Sequence, residues 1–350
     1  MIKNKKILKG LTLDELKVWC EENKLPKFRA DQIFNWMYNY LVTDFNEMLN
    51  LSKDLRNQLN SEYLLNTLEL IDSKSSDNNR TKKIIFKKLS EHFIESVIIP
   101  DQNRVTLCVS TQVGCPLDCQ FCATGLMGYK KNLTSGEIFD QYAHAQRLTG
   151  NEITNIVYMG MGEPLLNFNN TLKSLEIFSE EVTKGISLKK ITVSTAGIAP
   201  KIIELAKTGL KSKLALSLHS CFEDIRSKIM PINEKYSLKE NLDAVNFYSE
   251  QTGTRITFEY VMLKGLNDRK EDIKALISLS KRIPSKINVI PFNSLEHMNP
   301  TGFSAELKPT SHTKIEEFVD RLRNSNITVL VRDTQGDDIA AACGQLAIKY

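Results

Sequence analysis

Cys115, Cys119 and Cys122 stand in the run Val-Gly-Cys-Pro-Leu-Asp-Cys-Gln-Phe-Cys, three thiols at CxxxCxxC spacing. Thiolates hold iron–sulfur clusters, and a cuboidal four-iron, four-sulfur cluster usually takes four of them. Three leave one iron open, and an open metal position is where a small molecule can bind and react, as at a catalytic zinc. Two plainer readings use the same residues. A zinc knuckle asks for a fourth Cys or His close by, and the next histidine, His144, lies well along the chain. A disulfide framework suits short secreted chains, and the seven cysteines, at 20, 108, 115, 119, 122, 221 and 343, are odd in number. The spacing favours the cluster over either.

Four more segments place polar side chains where strands end. Gly160-Met161-Gly162-Glu163-Pro164 follows an apolar run, and Ser194-Thr195-Ala196-Gly197, Ser217-Leu218-His219 and Pro291-Phe292-Asn293 do the same. Singly, each is an ordinary turn, since Gly, hydroxyl and amide side chains favour turns. Cys343, before Gly344, and Cys108, in an apolar run, read alone as buried thiols. Glu95, in Phe93-Ile94-Glu95-Ser96-Val97, could face solvent on an alternating strand.

The elements that must hold these residues are legible from periodicity. Residues 11–70 read as short helices, one capped by Thr12 and a second led by Phe28, and Ser, Asp and Asn cluster at 75–80. Strand-like runs at 82–86 and 93–100 come next. Beyond Arg104 strands are expected at 105–110, 153–159, 190–194, 213–218, 255–262, 286–290 and 328–331. Helices alternate with them at 135–147, 169–181, 199–208, 238–251, 269–281 and 313–324. Such βαβ alternation implies a parallel sheet, and about six units are too few for a closed eight-fold barrel. The expected class is α/β, an open barrel whose working groups gather at the carboxyl ends of its strands, with a small N-terminal helical domain. The expected division is 1–75 for the helical module, 76–103 for a linking β segment and 104–350 for the barrel.

Composition is ordinary for a globular chain, 41% hydrophobic and 25% charged, with no apolar run of membrane-spanning length. The basic opening residues lead into a capped amphipathic helix rather than an apolar signal core, so a cytoplasmic home is expected. The net charge of +4 permits an anionic partner. Lysines cluster at 82, 83, 87 and 88, at 189 and 190, and at 207, 211 and 213, runs that are either solvated faces or phosphate contacts.

Taken together, the triad, Phe121 before its last cysteine and the Gly162-Glu163 segment resemble the radical S-adenosylmethionine (SAM) enzymes. The later loops, with Cys108, Glu95 and Ala341-Ala342-Cys343-Gly344-Gln345, resemble one subfamily along nearly the whole chain: the adenine-C2 methyltransferases of 23S rRNA and tRNA. The resemblance implies that Cys115, Cys119 and Cys122 bind one [4Fe–4S] cluster. It implies that Gly162, Glu163, Ser194, Ser217, Leu218, His219 and Asn293 contact SAM, and that the helical module and lysine clusters meet RNA. It also implies a methyl group carried on Cys343, a resolving thiol at Cys108, a general base at Glu95, two SAM consumed per turnover and a flavodoxin-like electron donor. A monomer is expected. Adenine C2 is electron-poor and bears no acidic hydrogen, so polar methyl transfer finds no nucleophile there, and a radical route avoids the obstacle. Three alternatives use the same motifs: methylation at adenine C8 by a related resistance type, radical chemistry on a small molecule or peptide, and a noncatalytic RNA-binding protein with a structural metal.

Overall fold

The computed structural model describes residues 5–77, 80–183, 185–332 and 334–347. Residues 78 and 79, inside the expected boundary at 75–80, and the first four of the basic opening residues lie outside the described residues. The chain begins with β1 (Lys6–Ile7), α1 (Leu13–Glu22), α2 (Phe28–Tyr38), α3 (Lys53–Glu62) and β2 (Tyr63–Leu64), the two short strands pairing in parallel. Thr12 caps α1 as expected, in a reciprocal capping box with Glu15. Next comes an antiparallel meander of β3 (Leu68–Ser75), β4 (Lys82–Lys88), β5 (Phe93–Asp101) and β6 (Arg104–Cys108). β3 departs from the expectation, which kept residues through 75 with the helical module. Its residues from Leu68 alternate between a covered and an open face, a two-residue period that pairs with β4.

From β6 the sheet turns parallel. The cysteine loop lies between β7 (Gln112–Val113) and β8 (Lys131–Asn132) and contains the short α4 (Ala123–Leu126). The chain then winds through α5 (Ser135–Thr149), β9 (Asn155–Tyr158), α6 (Phe168–Ser179), β10 (Ile191–Thr195), α7 (Ala199–Lys207) and β11 (Lys213–Ser217). It continues through α8 (Glu223–Ile229), α9 (Leu238–Thr252), β12 (Ile256–Met262), α10 (Lys270–Arg282), β13 (Ser285–Pro291), α11 (Phe303–Glu306), α12 (His312–Arg323) and β14 (Val329–Val331). All strands from β3 on, except β7 and β8, form one ten-stranded sheet in the order β14-β13-β12-β11-β10-β9-β6-β5-β4-β3. Its parallel part is the open six-unit barrel expected from the alternation, with β14 as a further edge strand. Every residue of β12 is buried, as strands covered on both faces require.

The helical module is seated on α5 by buried polar contacts. Lys9 Nζ lies 2.5 Å from Asp140 Oδ1, and the Ser135 hydroxyl donates to the Gly10 carbonyl at 2.7 Å. In the lysine cluster at 82–88 two side chains are neither a solvated face nor open to a phosphate. Lys83 and Lys88 are buried, at 3.2 Å from Glu95 and 2.7 Å from Glu137, because their places on β4 turn them toward β5 and α5.

Candidate active site

The carboxyl ends of the parallel strands open into one cleft. Its wall includes the triad Cys115, Cys119 and Cys122, Gly162 and Glu163 after β9, and Ser194 at the end of β10. Ser217 and His219 from β11, Asn293 after β13 and Cys343 complete the residues singled out from sequence. Of that set, Leu218, Cys108 and Glu95 are not part of the wall. The Leu218 side chain is wholly buried in the core, its N–H donating to the Glu259 carbonyl at 3.0 Å.

The triad loop is shaped by its own backbone: the Cys122 N–H donates to the Cys119 carbonyl at 3.1 Å, and Asp118 takes a left-handed φ of 49°. Burial pushes the Cys115 and Cys119 thiols well up, and the other sulfurs of the triad push both further. Thiolates at Cys115 and Cys119 are therefore unfavourable here without a positive partner, and iron is one. Among the described residues no three side chains converge as the ligands of a single ion would. The thiolates of a cubane each take a different iron, so they need only face one cavity, and the donor set fits such a cluster.

Gly162 has a φ of 98°, and a Cβ there would fall 2.4 Å from the Gln112 Cβ, so only glycine fits. Glu163 follows, its N–H donating to Gln112 Oε1 at 2.8 Å. Its carboxylate accepts N–H groups from Ala196 at 2.7 Å and Leu165 at 3.0 Å. Burial wins over these bonds and lifts its pKa to about 7, so at neutral pH the side chain is shared between its acid and carboxylate forms. His219 also takes a left-handed φ, 54°. Its Nδ1 accepts the Val261 N–H at 3.0 Å, which leaves the proton on Nε2, and burial lowers its pKa to about 3. The imidazole is thus a neutral donor, with Phe121 edge-on at 4.5 Å between ring centres.

Cys343 reaches the cleft through a tethered loop. The Ala123 N–H, just after the triad, donates to the Gly344 carbonyl at 2.7 Å, and the Thr124 hydroxyl donates to the Leu346 carbonyl at 2.6 Å. Gly344 has a φ of 81°, and a Cβ there would crowd the Phe121 carbonyl at 3.1 Å. Asn293 Nδ2 donates to the Cys343 carbonyl at 3.0 Å, so half of its amide serves this loop. Cys343 is open to the cleft yet deep within the fold, and desolvation raises its thiol to about 11. Cys108 is buried behind it on β6, raised to about 12 by burial and then by the Cys343 sulfur, a coupling that marks the two as neighbours. Glu95 is buried rather than solvent-facing. Desolvation raises its pKa, and Lys83, which also donates to the Ala340 carbonyl at 3.3 Å, opposes the rise.

Two charged groups of the site escape sequence reading. Glu259 lines the cleft from β12, bonded by Asn288 Nδ2 at 2.9 Å and approached by Arg332 at 3.4 Å, and Arg332 acts on both Cys108 and Cys343. A lone acid in the buried run Ile-Thr-Phe-Glu-Tyr-Val-Met was the available signal for Glu259. Nothing local marked Arg332.

Comparison with known proteins agrees with this geometry. The ribosomal RNA large subunit methyltransferase N-terminal domain matches residues 7–65, and the radical SAM superfamily matches residues 109–277. A probable dual-specificity RNA methyltransferase RlmN from Thermotoga sp. (strain RQ2) is 42% identical over 98% of each chain. Its counterpart from Dictyoglomus turgidum is 45% identical over 93% of this chain and 92% of its own. The crystal structure of a radical SAM methyltransferase from Sphaerobacter thermophilus has a TM-score of 0.90 and 38% identity, covering 97% of this chain and 99% of that one. Identity of this order along almost the entire length leaves one conclusion: the chain belongs to the RlmN family of radical SAM RNA methyltransferases.

Proposed function

We propose that the enzyme methylates C2 of adenine in 23S rRNA and in tRNA, with Cys343 as the methyl carrier. The observation that carries this reading is the bond from Ala123 to Gly344, which joins the triad loop to the Cys343 loop across one cleft. The dual specificity printed for the relatives supports the two RNA substrates.

In this reading Cys115, Cys119 and Cys122 hold the cluster, while Gly162, Glu163, Ser194, Ser217, His219 and Asn293 hold SAM, and Leu218, buried behind the wall, only shapes the loop between Ser217 and His219. Together these groups, when bound, supply a methyl group and a radical able to abstract hydrogen. Glu163 receives an ammonium group and neutral His219 offers its Nε2 proton. Cys343 carries the methyl carbon on its sulfur and joins it to adenine C2, tethering the base to the protein. Glu95 takes the C2 proton. As that proton leaves, the surplus electron of the adduct would return to the metal site. The Cys108 thiolate then attacks the Cys343 sulfur, and the sulfur–carbon bond breaks with its electron pair going to the methylene carbon. That carbon takes a proton to give the methylated base, and a Cys108–Cys343 disulfide remains. A flavodoxin-like donor reopens it with two electrons, and two SAM are consumed per product. The target adenine must be unpaired or flipped out to reach a buried sulfur. The same reading makes the enzyme a cytoplasmic monomer; no helix among the described residues is long and apolar enough to cross a membrane.

Mass spectrometry of RNA digested after turnover tests the position. The expected product is 2-methyladenosine, and 8-methyladenosine would overturn the assignment. With Cys108→Ala, RNA should accumulate covalently on Cys343, and turnover without any such adduct would remove Cys108 from the mechanism.

A further inference from the structure

Arg226, on α8, exposes none of its surface. Its hydrogen bonds go to the carbonyls of Ala196 at 2.5 Å, Ser217 at 3.1 Å and Leu218 at 3.1 Å, and to the Asn233 amide oxygen. All four acceptors are uncharged. Burying a cation among neutral dipoles is strongly unfavourable unless an anion faces it. Glu223, on the first turn of the same helix, acts on Arg226 but is itself solvent-exposed. The buried acidic group that acts on it most strongly is Cys119, which packs in one apolar cluster with Ala196 and Ile229, the neighbours of Arg226. Among the described groups acting on that thiol, Cys115, Cys122 and Glu163 are acidic and Arg226 is the one base. The Gln120 N–H donates to the Ile229 carbonyl at 3.0 Å and fastens the triad loop to α8.

We infer that Arg226 is a positioning residue that supplies the buried counter-charge of the metal site, offsetting the triad thiolates and favouring uptake of the electron that starts turnover. The inference rests on the triad holding a cluster. Transfer of one electron from an external one-electron reductant adds one negative charge to the site and moves no proton. A cation fixed close by in a water-poor interior favours that reduced state, and salt screens it little. Burial lowers the guanidinium to about 10, so it remains charged at neutral pH. The same side chain holds the carbonyl ends of Ala196, Ser217 and Leu218, so charge and loop geometry have to be separated by experiment.

The test reconstitutes the full chain without oxygen and follows the paramagnetic reduced cluster during a redox titration. Arg226→Gln should lower the ratio of reduced to oxidised cluster at fixed ambient potential at least tenfold, which for one electron is about 59 mV. Arg226→Lys keeps the charge and should stay within threefold of the parent. Asn233→Asp sets a carboxylate against the unaltered guanidinium and should shift the ratio as Arg226→Gln does, which keeps the question answerable if the glutamine variant fails to fold. A parent protein that takes up no four-iron cluster overturns the cluster reading itself. A loaded parent whose ratio matches that of Arg226→Gln or Asn233→Asp overturns the inference alone, as does a lysine variant that falls as far as glutamine.

Discussion

Replacing Asp140 by Asn removes one charge from a buried pair and strands the other. Lys9 and Asp140 side chains are 0% and 1% exposed at a separation of 2.5 Å, in the geometry of an ion pair rather than an aligned hydrogen bond. The second carboxylate oxygen accepts the Thr67 N–H at 2.6 Å and the Thr67 hydroxyl at 2.5 Å. One side chain on α5 thus gathers the residues that lead into and out of the helical module. Breaking a buried pair from one side costs about 3–5 kcal/mol. An amide in place of the carboxylate would also turn N–H groups toward Lys9 or Thr67, donor against donor, which places the cost at about 4 kcal/mol. At roughly 2 °C per kcal/mol for a large domain, Tm should drop by roughly 8 °C. Calorimetry or urea titration reads the loss, and limited proteolysis should show faster cleavage within the module. The double variant Lys9→Met/Asp140→Leu removes both charges and should recover the part of the loss due to the stranded cation, while the Thr67 donors stay unpaired. A loss below about 1 kcal/mol, or a double variant no better than the single one, would refute the claim that this pair fastens the module.

Glu163 gives a pH prediction with a definite sign. Its pKa is raised to about 7 in the folded protein, so the carboxylate form, to which the proposal gives the ammonium group, is lost as pH falls through 7. Affinity for S-adenosylhomocysteine should weaken about tenfold per pH unit below 7, and equal affinity at pH 6 and 8 by calorimetry would contradict it. The folded state then binds more protons than the unfolded chain between the ordinary glutamate value and 7, so the unliganded protein should gain stability on acidification there and Glu163→Gln should not. Gly162→Ala forces a side chain into a left-handed backbone against Gln112, so binding of the same ligand should fall at least tenfold and Tm should drop by a few degrees. Lys83→Met removes the cation that holds down the Glu95 pKa, so the methylation rate profile should move to higher pH.

Local chemistry was legible in the sequence, and pairing across the sheet was not. The triad, Gly162-Glu163 and the hydroxyls of Ser194 and Ser217 each follow a strand that its own apolar run announces. The structure ends β10 at Thr195 and β11 at Ser217, so these polar side chains open onto the cleft. The burial of Lys83 and Lys88 could not be read locally because it depends on partners, Glu95 and Glu137, that no local spacing brings near. Arg226 sits in a stretch too short to show a helical period, and its role needs three loops folded around it. Glu95 lies on a strand that its own alternation announces, but whether it met solvent or core turned on the Cys343 loop closing over β4 and β5.

The bonds from Ala123 and Thr124 to the carbonyls of Gly344 and Leu346 join positions as much as 222 residues apart. A nascent polypeptide emerging from the ribosome cannot set the loop of Cys115, Cys119 and Cys122 in its final shape until the segment with Gly344 and Leu346 has also been made. The three thiols therefore reach their final arrangement only after translation has passed that distant segment.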